Sequence, residues 1–117
     1  MTINRLRAGP RMSQAVIHGS TIYLAGQVAD QAKGKSVGDQ TKEILATIDR
    51  LLAEAGSDKT KILSTTIYLA DIGTFAEMNA VWDTWVPSGH APARATVAAK
   101  LAAPPYTVEI ACTAATS

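Results

Sequence analysis

Apolar residues recur at helical spacing in two segments of the chain and predict two helices. Over residues 39–55 the apolar positions share one helix face: Ile44, Ile48, Leu51, Leu52 and Ala55. Ser36 or Asp39 is placed to cap the start of this helix, and Gly56 is placed to end it. A second helix is predicted over residues 74–86, with an apolar stripe of Phe75, Met78, Trp82 and Trp85.

Segments rich in β-branched and apolar residues predict the strands. Short strands are expected at residues 4–6, 13–18 and 21–25, the last two joined by a tight turn, and further strands at 62–69, 91–97 and 107–114. The order β-β-β-α-β-α-β-β predicts an α+β fold in a single domain, residues 1–117, with a mixed β-sheet and both helices on one of its faces. The other sheet face is partly apolar, which favours its burial between subunits.

The last quarter of the chain carries the residues that suggest a chemical role. Arg94 lies among small and β-branched residues of a predicted strand and shares a strand face with Thr96. In the following strand, Glu109 lies opposite the apolar face that includes Cys112. We expect these two strands to be neighbours. Because a guanidinium in a partly dry site binds a carboxylate through two parallel hydrogen bonds, Arg94 predicts a pocket for a small carboxylic acid.

Composition and charge argue against several other classes of protein. The chain has 11 basic and 10 acidic residues, a net charge of +1 and no basic run, so we expect no nucleic-acid partner. No apolar run is long enough to cross a membrane, and the N-terminus lacks the apolar stretch of a signal peptide. The single cysteine, Cys112, excludes an internal disulfide and suits the cytoplasm, where we expect the protein to reside. Two histidines without clustered carboxylates predict no metal site.

Six short motifs, taken in their order and spacing, resemble those of a known family. They are Ser13-Gln14, Leu24-Ala25-Gly26-Gln27, Thr65-Thr66-Ile67-Tyr68-Leu69-Ala70-Asp71, Phe75-Ala76-Glu77-Met78-Asn79, Pro92-Ala93-Arg94-Ala95-Thr96-Val97 and Val108-Glu109-Ile110. On these motifs the chain resembles, over nearly its whole length, the RidA family, also called YjgF-type or reactive intermediate imine deaminases. Four further segments resemble the YoaB branch of that family: Arg11-Met12-Ser13, Val16-Ile17-His18, Trp82-Asp83-x-Trp85 and Gly89-His90-Ala91-Pro92.

The resemblance implies a chorismate-mutase-like fold and a homotrimer with a ligand cleft at each subunit interface. It also implies hydrolysis of 2-imino or enamine acids, such as 2-aminoacrylate and 2-iminobutanoate, to 2-keto acids and ammonia, with no metal or organic cofactor. Arg94 matches the family's substrate-binding arginine, and Glu109 matches its glutamate near the reacting carbon. Asn79 and Gly26 match positions that line or shape the cleft.

The chain departs from well-known members of the family at three positions of the cleft. Met12 stands where they have tyrosine, Thr96 where they have cysteine, and Ala25 where serine is frequent. We therefore expect Met12 and Thr96 to contact the substrate with different chemistry, Met12 forming an apolar and adaptable wall. These losses favour an alternative function, a trimeric small-carboxylate-binding or protein-interaction module with little catalysis, whereas the retained Arg94 and Glu109 favour the enzyme.

Each candidate residue also fits a purely structural role. Arg94 suits a solvent-exposed or salt-bridged strand position, and Glu109 suits an outward-facing strand carboxylate. Asn79 shares a predicted helix face with Phe75 and Trp82, where its amide can satisfy a backbone carbonyl. Gly26 suits the role of terminating its strand. Cys112 is expected to be a buried structural thiol rather than a nucleophile.

Overall fold

The chain folds into six strands and two α-helices, which a computed structural model describes over residues 1–117. The strands are β1 (Ile3–Leu6), β2 (Ala15–His18), β3 (Thr21–Leu24), β4 (Ile62–Leu69), β5 (Ala93–Ala98) and β6 (Val108–Ala115). The helices are α1 (Val37–Glu54) and α2 (Phe75–Trp85), and short 3-10 turns at Lys59–Lys61 and Ile72–Thr74 precede β4 and α2. The predicted element order is confirmed, and the bounds of β4 agree with the prediction.

All six strands belong to one mixed sheet in the order β1-β2-β3-β6-β4-β5. Strand β5 pairs parallel with β4, and every other neighbouring pair is antiparallel. The expectation that the arginine strand and the glutamate strand are neighbours is therefore wrong. The chain crosses from β4 through α2 to β5, which leaves β5 at the edge and β4 between it and β6. A parallel pair needs such a crossover, whereas antiparallel β6 can return directly to the other side of β4.

Both helices pack on one face of the sheet, as the sequence predicts. A single core cluster includes Ile44, Ile48 and Leu52 of α1, Met78 and Trp82 of α2, and Val108, Ile110, Cys112 and Ala114 of β6. Along β6 these core residues alternate with half-buried ones, which identifies the opposite face of the sheet as the one without helices. Neither helix combines the length and the hydrophobicity that a membrane span requires.

The ends of α1 follow the signals in its sequence. Ser36 is the N-cap, because its side-chain oxygen accepts a hydrogen bond from the backbone N–H of Asp39 at 3.1 Å. At the other end Gly56 has a φ of +80°, the left-handed conformation that glycine adopts readily after a helix. The sequence allows either Ser36 or Asp39 as the N-cap, and this hydrogen bond identifies Ser36 as the residue in that position.

The sheet face without helices presents large apolar and aromatic side chains. Tyr23 of β3 is 50% exposed and Val97 of β5 is 41% exposed, although tyrosine and valine gain free energy when they are buried. Both residues alternate with core-facing or helix-facing neighbours, so they point away from the helices.

A buried amide fixes the loop that connects β5 to β6. Gln40 of α1 is fully buried, and its Nε2 donates to the carbonyl oxygens of Lys35 at 3.1 Å and Pro105 at 2.9 Å. Its Oε1 accepts from the backbone N–H of Thr107 at 3.0 Å. One side chain therefore anchors the start of β6 to the start of α1.

We expect Gln40→Leu to lower the free energy of unfolding by about 1–3 kcal/mol, because it leaves the half-buried Thr107 N–H without a partner. Gln31→Leu is the matched control, since Gln31 is exposed and its side chain makes no hydrogen bond. Urea denaturation of both variants at one protein concentration measures the difference. Equal stability of the two variants would contradict the anchoring role of Gln40.

Candidate functional site

Arg94 points to the helix side of the sheet, at its edge. In the register of the sheet Arg94 pairs with Thr65 of β4, and Thr65 pairs with Cys112 of β6. Residues directly opposite one another project to the same face, and both Thr65 and Cys112 are buried under the helices. Arg94 therefore lies beneath α2 and beside open space, because no strand follows β5.

The guanidinium of Arg94 has no polar partner in its own chain. It is half-buried, it takes part in no hydrogen bond or salt bridge, and its Cζ lies 5.2 Å from the ring centroid of Trp82 and 5.7 Å from that of Phe75. A shallow pocket of about 270 Å³ lies along β4 and β5 at this edge, and its lining consists of Ser64, Thr65, Thr66, Ala93, Arg94 and Ala95. This arrangement contradicts the salt-bridge role that the sequence left open, and it leaves the cation without a counter-charge.

Two further polar atoms near this edge lack partners. Oδ1 of Asn79 and Oγ1 of Thr96 are buried, and neither forms a hydrogen bond. Thr96 lies two residues after Arg94 on the same strand face, and Asn79 lies between Phe75 and Trp82 on one face of α2. A carbonyl needs a donor, and the Nδ2 group of Asn79 donates no hydrogen bond within the chain, so Asn79 does not satisfy a backbone carbonyl. Because buried polar atoms are nearly always paired, these two oxygens leave hydrogen-bonding capacity unused near this edge.

Glu109 and Gly26 form a second group on the other side of the sheet. Glu109 pairs in register with Tyr68 of β4, which pairs with Val97 of β5, and these side chains face away from the helices. A Cβ added to Gly26 would overlap the Glu109 carboxylate and lie 2.9 Å from its Cδ. Gly26 is thus needed for the close approach of the Glu109 side chain, beyond its role at the end of β3.

Met12 belongs to the loop between β1 and β2 and is half exposed. Its carbonyl oxygen accepts a hydrogen bond from the backbone N–H of Gly9 at 2.8 Å, which closes a turn in that loop. Farther along, Gln14 holds the loop against the end of β3, because its carbonyl oxygen accepts from the backbone N–H of Ala25 at 2.9 Å. The loop therefore leads towards Gly26, while the Met12 side chain itself stays accessible.

The structure brings the six predicted site residues together only in part. Arg94, Thr96 and Asn79 share the helix side of the β5 edge, whereas Glu109 and Gly26 contact each other on the opposite face. Within one chain the sheet itself separates Arg94 from Glu109. The two groups therefore lie on different surfaces of the chain.

The sequence places Phe75 and Trp82 in the apolar stripe of α2, and the structure adds that both rings contact Arg94. Trp82 is 5% exposed and Phe75 is 40% exposed, so the helix stripe continues out of the core and ends over the cation. The sequence did contain a signal for this arrangement. The spacing of Phe75, Asn79 and Trp82 places two aromatic rings and an amide on one face of the helix.

A larger cavity of about 540 Å³ lies at the other end of β5. Residues 98–104, together with Ala70 and Tyr106, line it, and most of its wall is apolar. It contains none of the predicted site residues.

No group of three or more histidine, cysteine, aspartate or glutamate side chains is arranged to hold a metal ion.

Comparisons with known proteins identify the family to which this chain belongs. The family model described as Endoribonuclease L-PSP matches residues 2–116. The chain is 47% identical to the RutC family protein YoaB of Escherichia coli over 115 residues, which cover 98% of this chain and 99% of that protein. The chain belongs to the YjgF/RidA family.

Solved structures of YjgF/RidA proteins have the same fold. The chain superimposes on NMB1025, a member of the YjgF protein family from Neisseria meningitidis, with a TM-score of 0.96, 47% identity and coverage of 100% and 97% of the two chains. A more distant relative, from Rattus norvegicus, is named 2-iminobutanoate/2-iminopropanoate deaminase; it is 38% identical over 88 residues, covering 71% of this chain and 64% of that protein. The predicted family and fold class are therefore confirmed.

The thiol of Cys112 is sealed in the core of this YjgF/RidA chain. Cys112 is 4% exposed, and its Sγ lies 3.4 Å from Oγ1 of Thr65. Burial raises the pKa of this thiol to about 11, and the Thr65 contact offsets the rise only in part. The prediction of a buried thiol is confirmed, and a group that stays protonated at neutral pH is a poor nucleophile.

We expect the buried thiol to make the protein less stable at high pH. An unfolded cysteine titrates near pH 8.5, roughly, and the folded one at about 11, so the stabilisation is complete below the lower value and is lost as pH rises towards the upper one. Urea denaturation from pH 7 to 10.5 should show a steeper decline for the wild type than for Cys112→Ala. If the stability of both proteins fell in parallel as pH rises, the raised pKa of Cys112 would be contradicted. A thiol reagent at pH 8 should label Cys112 only after unfolding.

Proposed function

We propose that this protein hydrolyses short 2-imino acids and their enamine tautomers, such as 2-iminobutanoate and 2-aminoacrylate, to 2-keto acids and ammonia. The observation that carries the proposal is the half-buried guanidinium of Arg94, which has no counter-charge in its chain and lies near two unpaired oxygens. A partly buried cation favours an anionic partner, and a short carboxylic acid offers two oxygens to the parallel N–H donors of the guanidinium. The name of the rat relative supports the same reaction.

Arg94 would hold the substrate by its carboxylate. Two parallel hydrogen bonds from the guanidinium fix the position and the plane of that group, and therefore the position of the imine carbon next to it. The same positive charge withdraws electron density from the conjugated C=N bond and makes its carbon more electrophilic. Asn79 and Thr96 would meet the polar atoms of the bound acid, because their buried oxygens otherwise lack partners.

Glu109 would orient the attacking water and take up its proton. The water oxygen bonds to the imine carbon, the C=N electron pair moves to nitrogen, and nitrogen receives a proton. In the resulting carbinolamine the hydroxyl proton passes by way of Glu109 to the nitrogen, the C–N bond breaks to release ammonia, and the C=O bond forms. Gly26 would keep space for the carboxylate of Glu109, which a larger residue would displace.

The reaction would take place between copies of the chain. Because Arg94 and Glu109 lie on opposite faces of one sheet, we assign them to the same cleft only across an interface, in a homotrimer with one cleft at each seam. The exposed apolar side chains on the sheet face without helices, Tyr23 and Val97 among them, suit such an interface. Met12, on its exposed loop, would supply an apolar wall of the cleft. We propose the cytoplasm as the compartment.

A second candidate is a carboxylate-binding module with little catalysis. Met12 and Thr96 favour it, since a thioether and a hydroxyl replace the phenol and thiol of well-known relatives.

The endoribonuclease in the description of the family model suggests RNA as a substrate, but a net charge of +1 without a basic run does not support RNA binding. A coupled assay separates these functions: an amino-acid-desaturating enzyme generates the imine, and its disappearance is followed with and without this protein.

We expect Arg94→Ala to lower turnover in that assay by about 100-fold or more, because the substrate loses its positioning contact. Circular dichroism should show an unchanged fold, since the side chain has no polar partner to lose. Arg50→Ala is the control; it removes an exposed arginine of α1 and should leave turnover unchanged. Full activity of Arg94→Ala would refute the carboxylate-binding role.

Mixing two impaired variants tests whether the cleft is shared. Glu109→Gln should lower the rate more than it weakens binding of a 2-keto acid. Arg94→Ala and Glu109→Gln chains, co-expressed in equal amounts with different tags, should form trimers in which about a quarter of the clefts have both residues intact. Activity well above the average of the two separate variants is expected. No gain in trimers that carry both tags would show that each cleft takes both residues from one chain.

Sedimentation of the wild-type protein should give three times the chain mass of 12.3 kDa.

A further inference from the structure

The cation of Arg94 lies over two aromatic rings of α2. Its Cζ lies 5.2 Å from the Trp82 ring centroid and 5.7 Å from the Phe75 centroid, both within the range of cation–π attraction. Trp82 is nearly buried and closes the inner side, while the partly exposed Phe75 forms the outer rim. We call this pair of rings the aromatic seat.

The aromatic seat is itself held in place by the neighbouring helix. The Trp82 ring packs against the Trp85 ring with centroids 5.3 Å apart and planes inclined by 52°. Nε1 of Trp85 donates a hydrogen bond to Oδ2 of Asp49 on α1 at 3.0 Å. A continuous series of contacts therefore runs from α1 through both tryptophans to Arg94, and it limits the directions in which the guanidinium can turn.

We propose that Phe75 and Trp82 are positioning residues that hold the Arg94 guanidinium and leave its hydrogen-bond donors free for the ligand. Aromatic rings attract the cation through their faces and accept none of its N–H groups in conventional hydrogen bonds. A carboxylate of the same chain would fix the side chain equally well, but it would occupy the donors that a bidentate ligand needs. The inference rests on the proposed function, in which Arg94 binds a carboxylate, and it explains how a long and flexible side chain is preorganised for that task.

Ligand affinity distinguishes this role from simple core packing. A ring that only fills the core lowers the melting temperature when it is removed, but it leaves the affinity of the folded protein unchanged. A ring that orders Arg94 also changes the affinity. Calorimetric titration with 2-oxobutanoate, at a temperature well below the melting point of every variant, measures this property directly.

We expect Phe75→Leu to weaken 2-oxobutanoate binding by about twofold to fivefold, and Trp82→Leu by about fivefold to thirtyfold, the range that cation–π energies correspond to. Phe75→Tyr and Trp82→Phe keep an aromatic face and should retain most of the affinity. Ile72→Ala is the control, since Ile72 is a half-exposed apolar residue just before α2 and is not part of the seat. If Trp82→Leu does not fold, Phe75→Leu carries the test, because Phe75 lies at the rim.

The NMR signal of the Arg94 Nε–H group tests the seat without reference to catalysis. Ring currents should displace this signal from the position of free arginine, and Arg94→Ala identifies it by its loss. In the leucine variants the signal should return towards the free position. An unmoved signal in a folded leucine variant would overturn the proposal, and so would wild-type affinity for 2-oxobutanoate. If the wild type neither hydrolyses imines nor binds 2-oxobutanoate, the proposed function fails, and the Arg94 signal still decides the positioning role.

Discussion

The candidate site depends on a positive charge that its own chain does not neutralise. Arg94 is drawn partly out of water at the edge of the sheet, and its only close partners are the rings of Phe75 and Trp82. A cation–π contact contributes only about 0.5–2 kcal/mol and leaves the N–H donors of the guanidinium unpaired, whereas an anion would pair with them. The unpaired oxygens of Asn79 and Thr96 add hydrogen-bonding capacity at the same edge.

The topology of the sheet decides how this cation can meet a carboxylate. Strand β4 lies between β5 and β6, and the register places Arg94 on the helix side and Glu109 on the other side. No rotation of either side chain brings the two together through a layer of paired backbone. The proposed cleft between copies of the chain removes this obstacle. It also accounts for large side chains such as Tyr23 and Val97, which are exposed on the sheet face without helices.

Individual candidate residues could be named from the sequence, but their grouping could not be predicted. The motifs around Arg94, Glu109, Asn79 and Gly26 stand in a recognisable order, and alternation along β5 links Thr96 to Arg94 correctly. The error concerned the neighbours of β5, because strand order is set by long-range pairing rather than by local pattern. The aromatic seat was missed for a related reason. Helical spacing puts Phe75 and Trp82 on one face of α2, but nothing in that spacing says which strand the face covers.

The sequence by itself determined the elements of this protein, since helical periodicity, strand alternation and the signals at Ser36 and Gly56 act over a few residues. It also determined the family, because the motifs keep their order along the chain. Only the tertiary structure decided that β5 lies at the edge, that Arg94 has aromatic rings and no counter-charge, and that Glu109 lies on the far side of the sheet. These features arise from contacts between residues distant in the chain, whose pairing depends on the packing of the whole sheet against both helices.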